Sequence, residues 1–293
     1  MLDFLASHVF LFYFLIAIVG LVIGSFLNVV IYRLPILLEK EWRKECLDSL
    51  VEDETSIEQA TFNLAVPTSH CPHCKHPIKI WHNIPLLSYI WLRGKCSTCA
   101  KHIPFRYFLV ELLTCVLSLI VAFEFGISGT LVGGLLFTWL LIAITFIDLE
   151  HQIIPDVLTY PLLWIGLTYS CFGLFSNSRD AILGAAIAYL FFWVLGKAFY
   201  WVTKKEGIGH GDYKLLAAVG AWLGWELLPL VLLLSGLLGI VFGGGFLLIR
   251  KLSKNTPIPF GPFIALAAWV ALIWGFDITQ MYLHFFGIAW TNM

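Results

Sequence analysis

Charge is what this chain has little of. Only 13% of its 293 residues are Asp, Glu, Lys or Arg, about half the share of roughly 25% found in soluble globular domains. Hydrophobic residues reach 59%, mean hydropathy is +0.86, and the apolar residues fall in long runs. That combination excludes an ordinary soluble domain and predicts a polytopic membrane protein. Neither sign of charge dominates: 18 Lys and Arg against 19 Asp and Glu leave a net charge of -1, so no basic excess points to nucleic acid. Internal repeats and low-complexity tracts are absent. The first apolar run, Phe10–Tyr32, lacks both marks of a cleaved signal peptide, a basic segment before it and a small-residue cleavage site after it. Asp3 and His8 precede it and Arg33-Leu-Pro follows, so it is expected to remain as a transmembrane helix. Also missing from the soluble loop is a Gly-x-Gly-x-x-Gly after a predicted strand, which leaves a Rossmann-type donor site there without support.

What is present is a series of apolar runs. After Phe10–Tyr32 they fall at roughly 107–125, 130–147, 157–175, 181–202, 213–228, 229–249 and 260–276. The expected fold is all-α and polytopic, with about eight transmembrane helices. The sixth run is short, holds Gly220 and Gly224, and is divided from the seventh by Pro229. Positive charge sets the orientation. Segment 33–106 carries ten Lys and Arg, and Lys204, Lys205, Arg250, Lys251 and Lys254 lie in the loops on the same side, against Arg179 alone on the other. Both termini are therefore expected outside and the large loop in the cytoplasm. The domain reading is 1–32 as the first membrane helix, 33–106 as a small zinc-binding cytoplasmic domain between helices one and two, and 107–293 as a seven-helix membrane core.

The cytoplasmic segment begins with the charge-rich stretch EKEWRKECLDSLVEDETSIEQA, a solvated helical face. It then carries Cys71-x2-Cys74 and Cys96-x2-Cys99, separated by 21 residues. Two such knuckles can place four thiolates around one tetrahedral ion, and zinc is the default for four sulfur ligands. A soluble module this short buries little core, so a structural metal would supply folding free energy. A reducing cytoplasm disfavours paired disulfides as the alternative. His70, His73, His76 and His102 read as surface or packing residues. Cys115 and Cys171 lie in apolar runs and read as small core residues.

Acids next to membrane spans are costly and call for a purpose. GIGHGDYKLL (207–216) places Asp212 at the cytoplasmic mouth of helices five and six, and TFIDLEHQIIPDVLTYP places Asp148, Glu150 and Asp156 at the same face. Asp148 sits closest to the membrane, Glu150 on an exposed turn, and Asp156 where it can cap the next helix. Asp148 and Asp212 can thus face one another across a water, one acting as base while the other polarises a carbonyl. Gly209 and Gly211 would let an extended peptide lie close to Asp212. Two other readings stay open on pattern alone. Asp212 could cap helix six and pair with Lys214, or the two acids could carry ions or protons in a transporter with zinc only structural.

Five stretches taken in order, GSFLNVVIYRLP (24–35), CPHC…HNIPLLSYIWLRGKCSTC (71–99), FRYFLVELLT (105–114), IDLEHQIIPDVLTYP (147–161) and GIGHGDYKLLAAVGAWLGW (207–225), resemble the bifunctional type IV prepilin leader peptidases. The resemblance implies an inner-membrane aspartyl protease with Asp148 and Asp212 as the catalytic pair and Cys71, Cys74, Cys96 and Cys99 as a zinc module. It further implies prepilin or secretion pseudopilin substrates with a short basic leader ending in Gly, cut on the cytoplasmic side. The new terminal residue, usually Phe, would then be N-methylated from S-adenosylmethionine. By the same similarity Gly94 and Lys95 are the candidates for the methyl-donor site. His210 departs from the aromatic or apolar residue associated with that position. Asn28 and Arg33 end helix one, where Arg33 could serve only to fix topology, and Gly20-x3-Gly24 predicts close helix packing.

Overall fold

The computed structural model describes residues 8–48, 63, 74, 94–204, 207, 209–245 and 258–285. Among them are eight helices: α1 Val9–Asp48, α2 Phe105–Phe125, α3 Gly129–His151, α4 Asp156–Cys171, α5 Ser178–Thr203, α6 His210–Leu223, α7 Leu228–Leu238 with a π-helical extension Gly239–Gly244, and α8 Gly261–Phe285. The number and order of the predicted runs hold. Five of the helices, α1, α2, α3, α5 and α8, are long and apolar enough to cross a membrane, while α7 with its extension is a shorter apolar helix.

The chain forms two compact units, Met1–Ala122 and Phe123–Met293. In the first, α1 does not stop at Tyr32 but runs through Pro35 to Asp48, so the basic-acidic stretch begins as a continuation of the membrane helix. The apolar run ended the expected span, yet nothing in EKEWRKEC breaks a helix once it has started. The glycine pair does what was expected. A Cβ on Gly20 would lie 2.9 Å from the Cα of Cys115, and one on Gly24 would lie 2.8 Å from the Cα of Glu111. The α1 and α2 backbones therefore touch where small residues allow it. One turn further along this seam, the Asn28 Nδ2 donates to the Tyr107 carbonyl at 3.0 Å. Arg33 is buried and its Nη1 donates to the Asn63 carbonyl at 3.1 Å, so it is more than a topology charge.

The second unit is built around α3, α6 and α8, whose buried faces meet at its centre. Trp222 on α6 is fully buried; its indole N–H donates to the Leu162 carbonyl of α4 at 2.8 Å. Its ring packs against Phe137, Tyr169 and Phe175, with centroids 5.0, 5.5 and 5.2 Å away. α5 meets α6 backbone to backbone: a Cβ on Gly184 would sit 2.5 Å from the Gly220 carbonyl oxygen. The other side of α5 is an exposed apolar face that includes Ile182, Leu190, Val194, Trp201 and Val202, the surface expected to meet lipid. Cys171 belongs outside rather than in the core: it is exposed on α4, its thiol directed at the Leu167 carbonyl, because α4 turns that side away from its neighbours. Cys115 is half-buried and its thiol approaches the Ala17 carbonyl at 3.7 Å.

Candidate active site

α3 ends at its acids for a local reason. Gln152 adopts a left-handed conformation, with φ 55°, and its N–H caps the Asp148 carbonyl at 2.9 Å. The chain then passes through Ile153, Ile154 and Pro155 into α4. Pro155, with no N–H to offer, is the residue before the first turn of α4. Asp148 lies on the last inward turn of α3 and is 5% exposed, whereas Glu150 is exposed.

Asp212 lies in the first turn of α6 and is 8% exposed. It does not cap that helix. Gly209 holds the cap position without a side-chain bond, and the Asp212 N–H donates to the Gly209 carbonyl at 3.1 Å. Nor does Asp212 pair with Lys214. The Lys214 Nζ donates to both oxygens of Asp156, at 2.7 Å each, and lies 5.5 Å from the centre of the Tyr160 ring. Asp156 likewise leaves the cap of α4 unmade. Its carboxylate is satisfied by the ammonium on α6 instead. With side chains 30% and 45% exposed, such a pair is worth at most about 1 kcal/mol to folding.

Ile154 packs against a neighbour of each acid, Gly211 beside Asp212 and Gly261 against Asp148. A Cβ on Gly211 would fall 2.8 Å from the Ile154 Cβ, and one on Gly261 would fall 3.0 Å from its Cδ1. The space next to Gly211 is thus filled by the α3–α4 connection. Beside Gly209 lies the carboxylate itself, with the Asp212 Oδ2 3.1 Å from where a Cβ would stand. A third residue, absent from the sequence reading, completes the arrangement. The Gly261 N–H, at the start of α8, donates to the Asp148 Oδ2 at 3.0 Å, and a Cβ there would press on the same oxygen at 2.7 Å. The available signal was Phe-Gly-Pro opening a helix, where unpaired N–H groups attract anions. The Asp212 Oδ1 is buried with no hydrogen-bond partner among the described residues. Two buried acids, one held by a backbone donor and the other with an oxygen to spare, form a site that can activate water against a carbonyl.

His210 is exposed on the first residue of α6. Its ring lies 5.5 Å from that of Tyr213, and both line a cavity of about 250 Å³ with Trp193, Lys197, Tyr200 and Gly207 on the α5 side.

In the first unit, Cys74, Cys96 and Cys99 bring their sulfurs within 4.8 Å of one another; Cys71 lies outside the described residues. Around a zinc ion with Zn–S bonds of about 2.3 Å, sulfurs stand about 3.8 Å apart, so three soft ligands already converge as such an ion requires. The knuckle is formed by backbone. The Ala100 N–H donates to the Cys96 carbonyl at 3.0 Å and the Cys96 N–H to the Lys101 carbonyl at 2.9 Å. Gly94, with φ 70°, accepts from the Ile103 N–H at 2.8 Å, and Lys95 bridges His102. Gly94 and Lys95 therefore form the ribbon that carries the cysteines.

Helices long and apolar enough to cross a membrane, two buried acids at helix ends and three cysteines that could hold a metal ion are the marks of a membrane-embedded hydrolase. Residues 18–125 match the Bacterial Peptidase A24 N-terminal domain and residues 135–244 match the Type IV leader peptidase family. Known proteins called prepilin leader peptidase/N-methyltransferase align along nearly the whole chain. The one from Aeromonas hydrophila is 51% identical over 93% of this chain and 94% of its own length. That from Pseudomonas aeruginosa is 50% identical over 98% and 99%, and that from Legionella pneumophila 45% identical over 93% and 95%. No solved structure matches. The chain belongs to the type IV leader peptidase family.

Proposed function

We propose that this protein cleaves the leader from type IV prepilins and secretion pseudopilins and then N-methylates the new terminus, with Asp148 and Asp212 as the hydrolytic pair. The observation that carries the reading is that Ile154 packs against both Gly211, next to Asp212, and Gly261, whose N–H holds Asp148, so that the two buried carboxylates lie at one corner of the unit. In this mechanism one of the two acids carries a proton and the other does not. Asp148, oriented by the Gly261 N–H, takes a proton from water as that water attacks the scissile carbonyl. Asp212, whose Oδ1 has no other partner among the described residues, donates to the carbonyl oxygen. The tetrahedral intermediate collapses as Asp148 passes its proton to the leaving nitrogen, Asp212 takes back the hydroxyl proton and the C–N bond breaks. The extended substrate passes along Gly209 beside Asp212, while Gly211 serves the site by seating Ile154.

Zinc would be held by Cys74, Cys96 and Cys99, whose sulfurs converge, with Cys71 proposed as fourth ligand, and would supply folding free energy to the cytoplasmic domain. The methyl donor is S-adenosylmethionine, with Gly94 and Lys95 at its site. Substrate helix and enzyme meet in the bacterial inner membrane, with the active sites on the cytoplasmic face and both termini periplasmic. The rival transporter reading finds no support in a chain whose two halves match peptidase domains. Mass spectrometry of a co-expressed pilin tests the whole proposal, because the amino terminus reports the cut position and the added methyl together. An uncut pilin, or one cut elsewhere, refutes it.

A further inference from the structure

We infer that Asp156 and Lys214 are positioning residues, a clamp that sets the spacing of Asp148 and Asp212. The inference rests on those two acids being the hydrolytic pair. Asp156 opens α4 immediately after the Ile154-Pro155 corner, and Lys214 stands one residue beyond Tyr213 on the first turns of α6. The two-oxygen contact at 2.7 Å ties the connection leaving α3 to the start of α6. Each acid sits on one of the two segments so joined: Asp148 a turn before the corner, Asp212 a half-turn before Lys214.

The corner needs such a tie. Pro155 has no N–H, no side chain caps α4, and the Ile154 side chain over Gly211 is a contact without direction. An ammonium shared by both oxygens of one carboxylate adds direction, and the Tyr160 ring beside it limits where the lysine chain can go. Neither Asp156 nor Lys214 makes a hydrogen bond to Asp148 or Asp212 among the described contacts. Their effect is therefore on distance, and a misplacement of about 1 Å at a hydrolytic centre costs on the order of 100-fold in rate.

The test is cleavage of a synthetic prepilin by full-length protein in detergent. It compares Asp156→Asn, Lys214→Met, the double variant and Lys214→Arg, with methyl transfer to pre-cleaved peptide measured alongside. A clamp worth about 1 kcal/mol lowers kcat by about fivefold in either single variant, at about 1.4 kcal/mol per tenfold, with KM within about twofold. The double variant falls no further than the singles, since one contact is lost in all three, while Lys214→Arg keeps most of the rate. Wild-type kcat in both singles overturns the inference. So do multiplicative losses in the double variant, or a loss confined to KM, which would make either residue a substrate contact. Loss of protein or of methyl transfer together with cleavage makes the pair a folding element and overturns it too. Asp148→Asn and Asp212→Asn run beside these variants. If they still cleave, the hydrolytic pair itself is misassigned; if they are dead and the clamp variants are normal, only the clamp fails.

Discussion

At the scale of single residues the site is a matter of which oxygen each donor reaches. Asp148→Asn and Asp212→Asn are expected to abolish leader cleavage while the protein still inserts and still methylates a pre-cleaved peptide; cleavage by either variant removes the aspartyl mechanism. Gly261→Ala puts a methyl group against the Asp148 Oδ2, where a Cβ has only 2.7 Å. The carboxylate must turn, and kcat is expected to fall by about 10- to 100-fold with little change in KM. A rate within twofold of wild type would mean that Asp148 does not depend on this backbone donor. The two acids were legible in the sequence because each is a charge at the end of an apolar run. Gly261 was not, since a backbone N–H leaves no chemical mark on a glycine and its acceptor lies 113 positions away. The partner of Asp156 was hidden for a similar reason: Lys214 is nearer in sequence to Asp212, and only the packing of α4 on α6 assigns it elsewhere.

Among the elements, small residues decide where helices touch. Gly184 and Gly220 let α5 and α6 meet at backbone distance, and Trp222 fills the space under α4. Trp222→Ala is expected to cost about 3–5 kcal/mol, read as a lower denaturation midpoint in detergent. Gly220→Leu is expected to force α5 away from α6 and lose cleavage and stability together. A Gly220→Leu protein of wild-type stability would show that the helices do not meet there. The helix order followed from hydropathy because apolar runs long enough to be buried or to face lipid leave little alternative to helix. Where helices end followed less well. α1 continues past its apolar part to Asp48, for hydropathy marks the lipid contact and not the last helical hydrogen bond.

For the whole molecule, the proposed metal site falls in the first unit and the acids in the second. Cys71→Ser with Cys74→Ser is expected to release about one zinc per chain, measured on purified protein by elemental analysis. Full retention would refute the thiolate site, of which the structure shows three ligands converging. Purified protein in detergent is expected to cut a synthetic prepilin with no ion gradient present, and an absolute need for a gradient would return the acids to a transport role.

The brevity of α6 has a further effect. Its 14 residues extend about 21 Å at about 1.5 Å per residue, well under the roughly 30 Å of a bilayer's oily interior. Yet it has no bilayer to match, because Leu215 to Leu223 are all buried among the neighbouring helices. A helix screened in this way is free to begin with a carboxylate in its first turn, a group that a helix facing hydrocarbon would carry at high cost.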